Sequence, residues 1–100
     1  MQHITPQALK EQLQQQPDLF LLDVREDIEH EDFNIGGTLI PLGDVISKAH
    51  QIPKDQPVMV YCRKGVRSQI AIQRLQEKFG FTNLINVAGG IEAWKKIEAL

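Results

Sequence analysis

One hundred residues, 42% of them hydrophobic, with a net charge of −2, are enough for one modest globular core over 1–100. Mild acidity excludes the electrostatic footprint of a nucleic-acid binder. The single cysteine excludes an intrachain disulfide, and no apolar run approaches the ~18 residues of a membrane helix.

At the N-terminus, Met1-Gln2-His3-Ile4-Thr5-Pro6 lacks the basic and apolar regions of a secretory signal, so a cytoplasmic location is expected. Thr5 is a candidate N-cap with Pro6 at the first helical position. A helix of about ten residues follows, burying Ala8, Leu9 and Leu13 and ending before Pro17. The continuous run Leu19-Phe20-Leu21-Leu22-Asp23-Val24 predicts a buried parallel strand. Residues 25–32 are charge-rich and suit a short exposed helix or turn. A turn at Gly36-Gly37, a short strand at Thr38-Leu39-Ile40 and a short helix over Leu42 to Ala49 are expected next. Pro53 and Pro57 bracket a turn before a strand over 57–61.

The clearest helix runs from Ser68 to Phe79, with Ile72, Leu75 and Phe79 on one stripe, Ala71 alongside and Gly80 as its stop. Leu84 to Val87 is the last strand. Gly89-Gly90 turns the chain into a final helix carrying Ile91, Ala93, Trp94 and Ile97. Strands alternating with helices predict an α/β fold: a small, mainly parallel, doubly wound sheet with helices on both faces. Ligands in such sheets sit at the carboxyl ends of strands, where Asp23 and Cys62 both fall.

Cys62 carries the chemistry. It stands where a strand ends and a helix begins, followed within five residues by Arg63, Lys64 and Arg67 and by no acid. The thiolate is the reactive form of cysteine, and a free thiol, with a pKa of about 8.5, is only slightly ionised at neutral pH. A helix N-terminus and nearby cations favour the anion. Gly65 allows the positive φ with which successive N–H groups turn inward as an anion nest. The same residues read blandly as a buried strand-end cysteine beside a solvated basic turn. His3, His30 and His50 are scattered without metal-ligand spacing, so no metal is expected. Trp94 reads as a core anchor.

Four segments, taken in order, resemble the single-domain rhodaneses, the thiosulfate sulfurtransferase family. They are Leu21-Leu22-Asp23-Val24-Arg25, Phe33 to Leu42, Tyr61-Cys62-Arg63-Lys64-Gly65-Val66-Arg67-Ser68, and Val87-Ala88-Gly89-Gly90-Ile91-Glu92-Ala93-Trp94. The second is the loosest: Phe33-Asn34 stands where the family commonly has Gly-His, Thr38 stands where it has Ala, and the segment is about one residue shorter.

The resemblance implies a persulfide on Cys62 formed from a small anionic donor such as thiosulfate. Its acceptor would be a thiol, cyanide or a protein, and no other cofactor is needed. It implies substrate binding by Arg63, Lys64, Gly65, Val66 and Arg67, with Arg67 closing the loop and Arg63 and Lys64 steering anions. Asp23, Arg25 and Ser68 would support the site: Asp23 by pairing with Arg67 or capping a turn, Arg25 by pairing with an acid of 26–32. Related phosphatases and arsenate reductases have a seven-residue loop. Here Cys62 to Arg67 inclusive is six residues, a tighter ring suited to a terminal sulfur. A phosphatase or arsenate reductase, and a binding or sulfur-carrier module with little thiosulfate turnover, are the alternatives.

Overall fold

The computed structural model describes residues 1–99. Five strands, β1 (Gln2–Ile4), β2 (Phe20–Asp23), β3 (Thr38–Leu39), β4 (Val58–Tyr61) and β5 (Leu84–Val87), form one sheet in the order β1-β5-β4-β2-β3. Every pairing is parallel. Four helices accompany it: α1 (Pro6–Gln15), α2 (Asp27–Asp32), α3 (Val66–Phe79) and α4 (Gly90–Glu98). β4, which leads into Cys62, lies in the middle of the sheet between β5 and β2.

Because side chains alternate across a strand, the apolar run of β4 feeds two cores. Val58 and Val60 pack with Leu22, Val24, Ile40 and the α3 residues Ala71, Ile72 and Leu75. Met59 and Tyr61 pack with Leu21, Val87, Leu9 of α1 and Ile91 and Trp94 of α4. Helices therefore cover both faces, as the alternation of elements predicts.

α1 spans the expected ten residues, with the Thr5 hydroxyl accepting the Ala8 N–H at 3.1 Å. Four expectations are corrected. Ala8 is exposed, and Leu9 with half-buried Leu13 carries the inner face of α1. Phe79, the last residue of α3 before its Gly80 cap, is 38% exposed and lines a surface groove with Ile46, Lys54 and Phe81. Residues 42–49 do not form one helix. They make 3-10 turns at Leu42–Asp44 and Ala49–Gln51, closed by bonds such as Asp44 N–H to Pro41 O and Ile52 N–H to Ala49 O. α3 begins at Val66, two residues early, since Gly65 adopts φ +90° and serves as its N-cap. β1 was not foreseen. Its three residues have no strand-like apolar pattern and are ordered by pairing with β5, with His3 opposite Asn86.

Candidate active site

Cys62 follows the last residue of β4 and is 1% exposed. The turn it opens wraps around the sulfur. The Gly65 N–H donates to Sγ at 3.1 Å and the Ser68 N–H at 3.4 Å, while the thiol faces Ser68 Oγ at 3.4 Å. Unpaired N–H groups at a helix start attract negative charge, and α3 aims its first turn at the sulfur. Cys62, Arg63, Lys64, Val66 and Arg67 line a cavity of about 140 Å³.

The outward side of the turn is held by α4. The carbonyls of Cys62 and Arg63 accept the Ile91 and Glu92 N–H groups at 2.9 and 3.0 Å. The approach is close enough to require glycine. A Cβ on Gly90 (φ +58°) would overlap the Cys62 carbonyl oxygen and lie 2.7 Å from Arg63 C. With its carbonyls spent on α4, the turn presents N–H groups to the sulfur.

The cations part ways. Arg63, 63% exposed in its side chain, reaches Glu92 through Nε at 3.0 Å. Lys64 is exposed and makes no ion pair among the described residues. Arg67 bonds Glu29 of α2 through both terminal nitrogens, at 2.7 and 2.8 Å. That fork lowers the Glu29 carboxyl to about 2, and Glu29 in turn raises the Arg67 pKa. An acid does receive Arg67, and it is Glu29.

Asp23 therefore does not pair with Arg67. Its side chain lies on the Tyr61 face of the sheet, whereas α3 covers the other face. Arg25 likewise does not pair with the acids of 26–32. It is 4% exposed and clamps Asp23, its Nε on Oδ1 at 2.9 Å and its Nη2 on Oδ2 at 2.8 Å. Asp23 also caps the turn, Oδ1 accepting the Arg25 N–H at 3.0 Å. His30 Nδ1 lies 2.8 Å from Oδ2. Burial pushes the Asp23 carboxyl up, but the bonds from Arg25 and His30 outweigh it and hold the pKa below the usual value. Arg25 also donates to Phe33 O at 2.7 Å and lies over the Tyr61 ring. This cluster ties the carboxyl end of β2 to the last turn of α2, the same short helix whose Glu29 holds Arg67.

Three residues at the site escaped the sequence reading. Glu29 is one of five acids between 26 and 32, none distinguished by spacing. His30 carries no metal-like pattern. Asn86 lies inside an apolar strand, 1% exposed, and a buried amide there is the one signal that could have marked it. Among the described residues no group of His, Cys, Asp and Glu is arranged to hold a metal.

The Rhodanese-like domain family matches residues 5–97. The chain belongs to this family. The rhodanese-like domain is 36% identical over 96 residues to the putative sulfurtransferase YtwF of Bacillus subtilis, covering 95% of this chain and 91% of that protein. It is 36% identical over 92 residues to the putative sulfur carrier protein YrkF of the same organism, covering 91% of this chain and 49% of the other. The chain thus spans about half the length of YrkF, and it covers 24% of the probable adenylyltransferase/sulfurtransferase MoeZ of Mycobacterium tuberculosis. A rhodanese-like domain protein from Staphylococcus aureus superposes with a TM-score of 0.85 at 29% identity, covering 94% of this chain and 91% of that one. The relatives that share this rhodanese-like domain carry the names of sulfurtransferases and of a sulfur carrier.

The departures of this rhodanese-like domain from the familiar pattern have local explanations. Asn34 closes a turn, its Oδ1 accepting the Gly36 N–H at 2.8 Å and its Nδ2 donating to His30 O at 2.9 Å. An imidazole reaches this end of the sheet from α2, as His30. Thr38 sits half-buried in β3 opposite Leu22.

Proposed function

We propose that this rhodanese-like domain transfers sulfane sulfur through a persulfide on Cys62, with thiosulfate or a similar small anion as donor. The observation carrying the proposal is the Cys62 turn, whose N–H groups converge on a buried sulfur at the floor of a small cavity rimmed by cations. The Cys62 thiolate attacks the outer sulfur of thiosulfate. The bond to the sulfonate sulfur breaks, and its electron pair leaves with sulfite. The new terminal sulfur carries the negative charge, which the Gly65, Val66 and Ser68 N–H groups and the α3 dipole stabilise. A thiophile then attacks that outer sulfur and returns the Cys62 thiolate. Cyanide would leave as thiocyanate; a thiol or protein acceptor would leave as a persulfide. The carrier group is the cysteine itself, so no further cofactor enters. Arg63 and Lys64 draw the anionic donor to the rim, and Arg67, anchored on Glu29, fixes the far side of the turn.

The name of YrkF supports a second reading, in which the persulfide is handed to one protein acceptor and free thiosulfate turns over slowly. The test is intact mass after incubation with thiosulfate. The expected result is a gain of one sulfur atom, lost on adding cyanide and absent in Cys62→Ser. Loading from thiosulfate with slow release to cyanide supports the carrier reading. No adduct, with turnover of an aryl phosphate instead, would sink both in favour of phosphatase chemistry.

A further inference from the structure

Behind the sulfur runs a line of hydrogen bonds that the transfer step does not use. The Cys62 thiol faces Ser68 Oγ at 3.4 Å. The Ser68 hydroxyl donates to Asn86 Oδ1 at 2.5 Å, and Asn86 Nδ2 donates to His3 Nδ1 at 3.1 Å. Ser68 is 0% and Asn86 1% exposed, so neither can replace a lost partner with bulk water. His3 is exposed on the edge strand β1, beside Asn86 on β5. A path of polar groups thus joins a buried nucleophile to a titratable side chain at the surface.

The path has a direction. A serine hydroxyl has one hydrogen. Here it goes to Asn86, so Ser68 offers the sulfur a lone pair, which suits a thiol and repels a thiolate. The arrangement requires a bare Nδ1 on His3. If His3 carries a proton on Nδ1, it must donate, and Asn86 must present Oδ1 to it. The two ends of an amide are nearly identical in shape, so turning over costs little sterically. Asn86 Nδ2 then donates to Ser68 Oγ, and the serine hydrogen turns to the sulfur. Every donor is reversed, every buried group stays paired, and Cys62 gains a third donor as its proton leaves for solvent.

We propose that His3 and Asn86 are positioning residues that set, through Ser68, whether Cys62 is held as thiol or thiolate. Protonation of His3 favours the thiolate, and the same polarity favours the anionic persulfide. The relay keeps the nucleophile available as pH falls, against the direction in which a thiol alone would respond. Little else competes for His3. The cleft around it is lined by Gln2, Ile4, Gln12, Pro57, Met59 and Ile85, all uncharged. The charged residues of α3 (Arg67, Arg74, Glu77, Lys78) make no hydrogen bond or ion pair with His3 or Asn86 among the described residues. About Cys62 the charged groups are Arg63 with its partner Glu92 of α4, Lys64, and Arg67 with its partner Glu29 of α2.

The inference rests on Cys62 being the nucleophile, but its test needs no sulfur donor. The rate of Cys62 alkylation by iodoacetamide is followed against pH. For the native protein the logarithm of the rate should rise, flatten into a shelf, and rise again, with an offset of roughly tenfold between the two limbs. His3→Gln, which keeps a hydrogen-bonding side chain but does not titrate, should give a single thiol curve. Asn86→Leu should also lose the shelf although His3 is intact, and should alkylate faster at high pH because Ser68 is free to turn to the sulfur. A native profile with one inflection, or a shelf that survives in Asn86→Leu, overturns the proposal. Either result leaves the persulfide mass test untouched, so failure of the relay and failure of the sulfur-transfer reading are separable.

Discussion

Around Cys62 the three cations of one short turn have three different duties, and exposure with partner sorts them. Lys64 is exposed and unpaired among the described residues, Arg63 is shared with Glu92 at the surface, and Arg67 is forked onto Glu29. A planar fork on a carboxylate fixes geometry in a way that a point charge does not. Arg67→Ala should therefore lower persulfide yield from thiosulfate several-fold, while Lys64→Ala should change mainly its salt dependence, by about twofold or less. Intact mass at matched ionic strength reads both, and equal small effects would count against Arg67 as the closing residue. The cysteine turn was legible in the sequence because it is contiguous: strand end, thiol, cations, glycine and helix start follow one another in eight residues. Its partners were not. Glu29 meets Arg67 across 38 positions and Asn86 meets Ser68 across 18, and nothing local marks either pair.

At the scale of elements, the active turn is held between two helix starts. α3 directs its N–H groups at the sulfur, and α4 takes up the carbonyls on the other side. Gly90 is the hinge of that arrangement, since any side chain there would meet the backbone of Cys62 and Arg63 at a positive φ. Gly90→Ala should destabilise the fold by about 2–4 kcal/mol, from left-handed strain and the displaced turn together. Chemical denaturation measures the first effect. Persulfide yield in the remaining folded fraction measures the second, and unchanged values for both would mean α4 can slide without disturbing the site. Helices and strands with a continuous apolar signal, such as β4 and α3, were readable from pattern alone. The 3-10 turns of 42–51 were not, because Pro41 and Gly43 interrupt the region and short-range backbone bonds take over there.

The whole molecule has an acid limit written into its paired carboxylates. Glu29 is held at about 2, against 4.5 for a free glutamate, and Asp23 is also held below its ordinary value. A lowered folded pKa means stability that is fully present above the ordinary carboxylate range and lost as pH falls through the depressed one. Stability to urea should accordingly decline between about pH 4.5 and 2. Glu29→Gln should flatten part of that decline modestly, because the pair is partly solvated and screened. Asp23→Asn should cost more at neutral pH, about 3–5 kcal/mol, by leaving the Arg25 charge buried without its partner. A pH-independent wild-type curve over that window would contradict the assignment of these pairs.

The edge strand β1 has a consequence for the order in which the chain takes shape. Its partner is β5, and the register joins residues 2–4 to residues 85–87. On a ribosome residues 2–4 are thus placed long after they are made, since β5 must emerge before they have anything to bond. The centre of the sheet, β2 against β4, closes over a shorter span and can form while β1 is still a free thread. For an interval in its synthesis the protein would carry β2 paired with β4 while the other edge of β4 is open and the cysteine turn still lacks the α4 contacts that hold its carbonyls.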